Sequence, residues 1–72
     1  MVKSFTATNS SHVQKVEYND DCKSLRVEYQ NGRVYTFSNV PADVYEDLVL
    51  APSVVKFLNE FVYENYNYTR VA

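Results

Sequence analysis

"LRVEYQNGRVYTF" (residues 25–37) places the only glycine of the chain between two runs of alternating apolar residues, and its register decides the fold. Leu25, Val27 and Tyr29 alternate with Ser24, Arg26, Glu28 and Gln30, the period of two that marks a half-buried strand. After the turn, Tyr35 and Phe37 are the heaviest apolar pair. Asn31-Gly32 suits a two-residue type I′ loop. That loop pairs Tyr29 with Val34 and Val27 with Thr36, and so sets Tyr35 and Phe37 on the face of Glu28 and Arg26. A three-residue loop, Gln30-Asn31-Gly32, instead pairs Tyr29 with Arg33, Val27 with Tyr35 and Leu25 with Phe37. Every large apolar group then shares one face. Register follows the buried face, so the longer loop is predicted: a type I turn followed by a bulge residue of positive φ, which glycine tolerates best. Asn31 and Gly32 are structural turn residues on this reading.

Upstream, "HVQKVEY" (residues 12–18) reads as a strand with Val16 and Tyr18 inward. Val13 is out of phase, which predicts a bulge or an end effect there. Asn19, Asp20 and Asp21 supply a turn before Leu25. Downstream, "NVPADVYEDLVLA" changes the period to a helical one. Pro41 fits the first helical position, Asp43 complements the positive end of the helix dipole, and Val44, Tyr45, Leu48 and Ala51 form the apolar stripe. Pro52 separates a second helix, in which Ser53 is the N-cap and Val54, Phe57, Leu58 and Phe61 are the stripe. The predicted fold is α+β, a three-stranded antiparallel meander packed against two short helices. A C-terminal extended segment through Tyr66, Tyr68 and Arg70 either packs on the sheet or pairs with an edge strand. Residues 1–9 read as a polar N-terminal arm, ordered only if something docks it, and residues 10–72 as a single domain.

The chain has 72 residues, seven basic and nine acidic side chains, one cysteine and one histidine. A core of this size rarely supplies more than about 3–5 kcal/mol, and small scaffolds often add a metal, a disulfide or a partner. Cys22 alone forms no intramolecular disulfide, and Cys22 with His12 leaves a zinc site two ligands short. No metal and no cofactor are expected. Association with itself or with another protein is the staple left, and a homo-oligomer is expected. A net charge of −2 is no footprint of an electrostatically driven nucleic-acid binder. No stretch is long and apolar enough for a signal peptide or a membrane span, and with an unpaired thiol this favours the cytoplasm. An enzyme is not expected: Cys22 as nucleophile has only His12 as base, with nothing at a recognisable spacing to orient it. Asp20/Asp21 and Glu46/Asp47 are turn and solvated-helix chemistry.

The ordered set of motifs resembles the KTSC domain, found appended to some lysyl-tRNA synthetases and alone in short proteins of bacteria and their phages. Ser10, Ser11, Val13, Val16, Tyr18 and Asn19 match its opening, and Leu25, Val27, Tyr29, Asn31, Gly32, Tyr35 and Phe37 its strand-turn-strand core. Val40, Pro41, Val44, Tyr45, Leu48 and Ala51 match the first helix. Ser53, Phe57, Leu58, Asn59, Val62, Tyr66 and Tyr68 match the remainder, so that the likeness spans about residues 10–70. Val55 stands where the family usually has glycine. Glu60, Phe61, Tyr63, Glu64 and Asn65 stand where it often carries basic residues, which removes the basic stretch that an RNA-related role would use.

Seven tyrosines and four phenylalanines are the unusual feature of the composition. Tyr63, Tyr66 and Tyr68 cluster near the end of a domain with little interior to hide them. The candidate partner-binding set is these three with Arg70, and with Phe61 as a partly buried anchor. The first reading is a non-enzymatic binding module that contacts a protein or itself; for a phage protein the partner would be a host factor that it modulates. The second is a small nucleotide or nucleic-acid binder that stacks bases on the same rings. In the competing structural account, the tail folds back and the tyrosines close the core.

Overall fold

The computed structural model describes residues 2–6 and 12–72. One antiparallel sheet of five strands, in sequence order, is formed by β1 (Val2–Thr6), β2 (Val13–Asn19), β3 (Ser24–Tyr29), β4 (Val34–Phe37) and β5 (Tyr68–Arg70). Two strands therefore join the expected three. β1 comes from the expected arm: Phe5 pairs opposite Val16 and Lys3 opposite Tyr18, so backbone pairing to β2 orders a segment whose side chains carry little periodicity. The rest of that arm, with Ser10 and Ser11, lies outside the described residues. β5 is the extended C-terminal segment, and it takes the edge-pairing alternative, with Tyr68 opposite Phe37 and Arg70 opposite Tyr35.

The hairpin has the three-residue loop. Leu25 faces Phe37, Val27 faces Tyr35, and Tyr29 N–H donates to Arg33 O at 2.8 Å. Gly32 has φ +90°, and its N–H donates to Tyr29 O at 3.0 Å. A Cβ at Gly32 would meet nothing within 4 Å, so substitution there carries backbone strain alone. Gly32→Ala should cost about 1–2 kcal/mol and leave the core untouched; urea denaturation checks it, with an unchanged midpoint counting against the positive-φ assignment. The predicted bulge also forms. Val13 pairs with Tyr29 but Lys15 with Glu28, and skipping Gln14 returns Val13 to the buried face.

Between β4 and β5 the chain crosses the sheet as α1 (Ala42–Leu50), α2 (Val54–Phe57), a π-helical turn (Leu58–Val62) and α3 (Tyr63–Asn65). Pro41 precedes α1 as its extended N-cap residue, one position earlier than expected, and Ser53 Oγ accepts from Lys56 N–H at 3.3 Å. The π turn corrects the expected second stripe. An α-helix advances about 100° per residue, which would point Phe61 along the line of Val54 and Leu58. The wider turn advances less, so Val62 takes the buried place and Phe61 swings outward. Val54, Leu58 and Val62 are buried, while Phe61 is 42% exposed.

The helical layer covers one face of the sheet. Side chains directly opposite across paired strands share a face, and on this face they form rows. One runs Lys3, Tyr18, Leu25, Phe37, Tyr68; the next runs Phe5, Val16, Val27, Tyr35, Arg70; the last is Val13, Tyr29, with Arg33 beyond the hairpin hydrogen bond. The core sits mid-row, where Tyr18, Leu25, Val16, Val27 and Phe37 are almost wholly buried. Tyr45 of α1 stacks on Tyr18 with centroids 5.4 Å apart, and Tyr18 Oη donates to Val40 O at 2.6 Å, tying the loop before α1 to the sheet. Charged side chains line the opposite face, where Lys15 and Glu17 lie 3.0 Å apart. No described helix is long and apolar enough to cross a membrane.

Candidate tyrosine and arginine face

At the β4 and β5 ends of the rows, aromatic side chains of the sheet meet that of α3. Tyr63, on α3, is the hub. Its ring meets those of Tyr68 at 4.9 Å, Phe37 at 5.1 Å and Tyr35 at 6.2 Å, each near edge-on. Edge-to-face geometry aims a ring's positive rim at its neighbour's negative face, and each such pair contributes about 0.5–1.5 kcal/mol beyond burial. The Tyr63 and Tyr29 hydroxyls share a hydrogen bond of 2.6 Å. This bond closes the helical layer onto the hairpin across 34 residues of sequence.

The predicted binding residues do not form one tail. Tyr63 is half-buried in the hub, and Tyr68, 49% exposed, forms its rim. Phe61 and Tyr66 lie in a second string with Phe57, with centroid distances of 5.4 Å from Phe57 to Phe61 and 6.4 Å from Phe61 to Tyr66. Phe61, expected as a partly buried anchor, is more exposed than the half-buried Tyr66. Arg70 stands opposite Tyr35 on β5, and its Nε donates to Ala72 O at 3.0 Å. The tail is thus both things at once: Tyr63 and Tyr66 pack, Tyr68 packs on one side and faces solvent on the other, and Arg70 is exposed.

Three further residues belong to this surface. A shallow groove of about 270 Å³ is lined by Tyr29, Arg33, Tyr35 and Tyr63, with His12 and Asn31 at its end. None of these carries a carboxylate. Arg33 lies two residues before Tyr35 on the same arm of the hairpin, and Arg70, outside the groove lining, stands opposite Tyr35 across the β4–β5 pair. The three-residue register already puts Tyr29, Arg33 and Tyr35 on one face, so the signal for them lay in the opening stretch. A neighbouring hollow is lined by Tyr63, Glu64, Asn65, Tyr66, Asn67 and Tyr68, which brings one acid close to the cluster. The catalytic pairing weighed for Cys22 is not assembled: His12 precedes β2, Cys22 follows it, and seven strand residues at about 3.3 Å each separate them.

Burial raises the hydroxyl pKa of both Tyr29 and Tyr63. Their shared hydrogen bond raises Tyr63 further and holds back the rise at Tyr29. Burial raises Tyr18 and Tyr45 as well. A group whose folded pKa lies above its unfolded value of about 10 contributes its full stability below that pH and loses it as pH rises. Stability should therefore fall above about pH 10, and Tyr63→Phe should flatten the fall. Urea midpoints at about pH 8 and about pH 11 check this; equal slopes for both proteins would remove Tyr63 from the account.

A family model described as the KTSC domain matches residues 9–66. An uncharacterised protein of Stutzerimonas stutzeri is 30% identical over 66 residues, covering 90% of this chain and 93% of that protein. A lysine–tRNA ligase of Nostoc punctiforme is 29% identical over 62 residues, which is 86% of this chain and only 11% of the ligase. The crystal structure of a KTSC domain protein from Yersinia pestis superposes with a TM-score of 0.86 over the whole of both chains at 16% identity, a likeness of fold. The motifs, the matched span and the superposed fold agree, and the chain belongs to the KTSC domain family.

Proposed function

We propose that this domain is a non-enzymatic binding module whose contact surface is the face built by Tyr29, Tyr35, Tyr68, Arg33 and Arg70 over the Tyr63 hub. The observation that carries this reading is a tyrosine groove that Arg33 lines, with no carboxylate among its described lining residues, beside Tyr35, which Arg70 faces across the β4–β5 pair. Tyrosine and arginine dominate the energetics of protein interfaces, because a ring gives large contact area at low entropy cost and a guanidinium reads a carboxylate with two parallel hydrogen bonds. The partner is accordingly a protein segment that presents acidic groups beside an apolar one. Glu64 beside the hub and the net charge of −2 favour a protein over a polyanion.

The second reading is single-stranded nucleic acid, with bases on the rings and phosphates on the arginines. Arg33, which the fold brings to the groove, favours it, as does the occurrence of a matching segment within lysine–tRNA ligases. One experiment separates the two. Wild type and Arg33→Ala/Arg70→Ala are used to capture protein from nuclease-treated bacterial extract, and both are titrated with a fluorescent oligouridylate at several salt concentrations. A stoichiometric protein held by wild type and lost by the variant supports the first reading. Oligouridylate binding that falls steeply with salt supports the second. If neither a stoichiometric protein nor the oligouridylate binds wild type more than the variant, this face is not the contact surface.

A further inference from the structure

β1 is the longer of the two sheet edges, with five residues against three in β5. Among the described residues no strand lies on its outer side. Such an edge offers a row of backbone donors and acceptors to another strand. Val2–Thr6 contains no proline, and its pairing with β2 has no bulge that would twist it away. Beside it, between β1 and α1, runs a groove of about 440 Å³ lined by Ser4, Phe5, Tyr45, Glu46, Val49 and Leu50. Leu50 is 81% exposed and Val49 42% exposed at the end of α1. The one charge of the strand is Lys3, and among the described residues the one charge lining the groove is Glu46.

We propose that this edge joins two copies of the chain, β1 against β1, antiparallel about a two-fold axis at Ser4. The register follows from the side chains. Centred on Ser4, all five residues pair, with Val2 opposite Thr6 and Lys3 opposite Phe5. Lys3 then stands on the face that carries the groove, beside the Phe5 of the second copy and within reach of its Glu46. Symmetry makes the pair twice. Centring on Lys3 instead would set two like charges directly opposite. A one-residue slip would put the two helical layers on opposite faces and part the apolar residues at the ends of the two α1 helices. The centred register keeps Val49 and Leu50 of both copies beside the axis and yields one continuous ten-stranded sheet. This surface is separate from the tyrosine and arginine face, so one can fail without the other.

Light scattering and sedimentation over a concentration series test the proposal on the full chain, with circular dichroism confirming the fold of each variant. Wild type should pass from monomer to dimer as concentration rises. Leu50→Asp should abolish the dimer. Glu46→Lys should raise the dissociation constant about tenfold, and Lys3→Glu combined with Glu46→Lys should restore it. A wild type that stays monomeric throughout overturns the proposal. So does a dimer that Leu50→Asp leaves intact, or one weakened by Glu46→Lys that the double reversal does not rescue.

Discussion

Replacing Phe37 with alanine should abolish cooperative folding. Phe37 is fully buried, stands between Leu25 and Tyr68 in its row, and receives the edge of Tyr63 at 5.1 Å. Truncating a buried phenylalanine costs about 3–5 kcal/mol, for the lost transfer energy and the cavity left behind. A single core of this size rarely supplies more than about 3–5 kcal/mol, so the loss is as large as the whole. Far-ultraviolet circular dichroism with urea should show no transition for Phe37→Ala. Tyr68→Ala, which removes a half-exposed ring from the same row, should cost about 1 kcal/mol and keep the transition. A cooperative Phe37→Ala close to wild type would mean that the row ending in Tyr68 is not the boundary between core and face.

Removing both arginines should have the opposite character, with binding lost and folding intact. Arg33 and Arg70 are exposed, and neither holds a buried charge in place. Their substitution should leave the urea midpoint within about 0.5 kcal/mol of wild type. Hot-spot arginines cost about 2 kcal/mol each when truncated, so the pair should weaken the partner about a thousandfold. Arg→Lys at both positions should restore only part of the affinity. An ammonium keeps the charge but loses the planar fork that engages a carboxylate at two points. Full rescue by lysine would point to simple charge attraction, and titration with salt would then separate an acidic peptide from a nucleic acid.

The hairpin was legible because three constraints agree there. The apolar pattern, the single glycine and the need to put Phe37 with Leu25 all select one loop, and the same register named the Tyr29–Arg33 pair. Val13 was legible for a similar reason, since an apolar residue one step out of phase in an otherwise regular strand implies an extra residue. β1 was not. Strand formation in Val2–Thr6 rests on backbone hydrogen bonds to β2, and backbone groups are the same for every sequence. Phe61 misled because a stripe drawn at α-helical pitch assumes that pitch throughout, and a single π turn rotates everything after it.

What the sequence determined by itself is local: where the strands alternate, where the chain turns, where the helices begin, and which side chains share a face. These depend on the conformational preferences of a few neighbouring residues and on period alone. Only the tertiary structure decided that Tyr63 crosses to Tyr29, that Val62 rather than Phe61 is buried, and that Arg70 of the last strand stands opposite Tyr35, beside the groove that Arg33 lines. Those outcomes depend on how many ångströms of helix lie between β4 and β5, and on which edge receives the last strand. Both are set by packing the whole domain at once, since a side chain far along the chain becomes a neighbour only when the core between them closes.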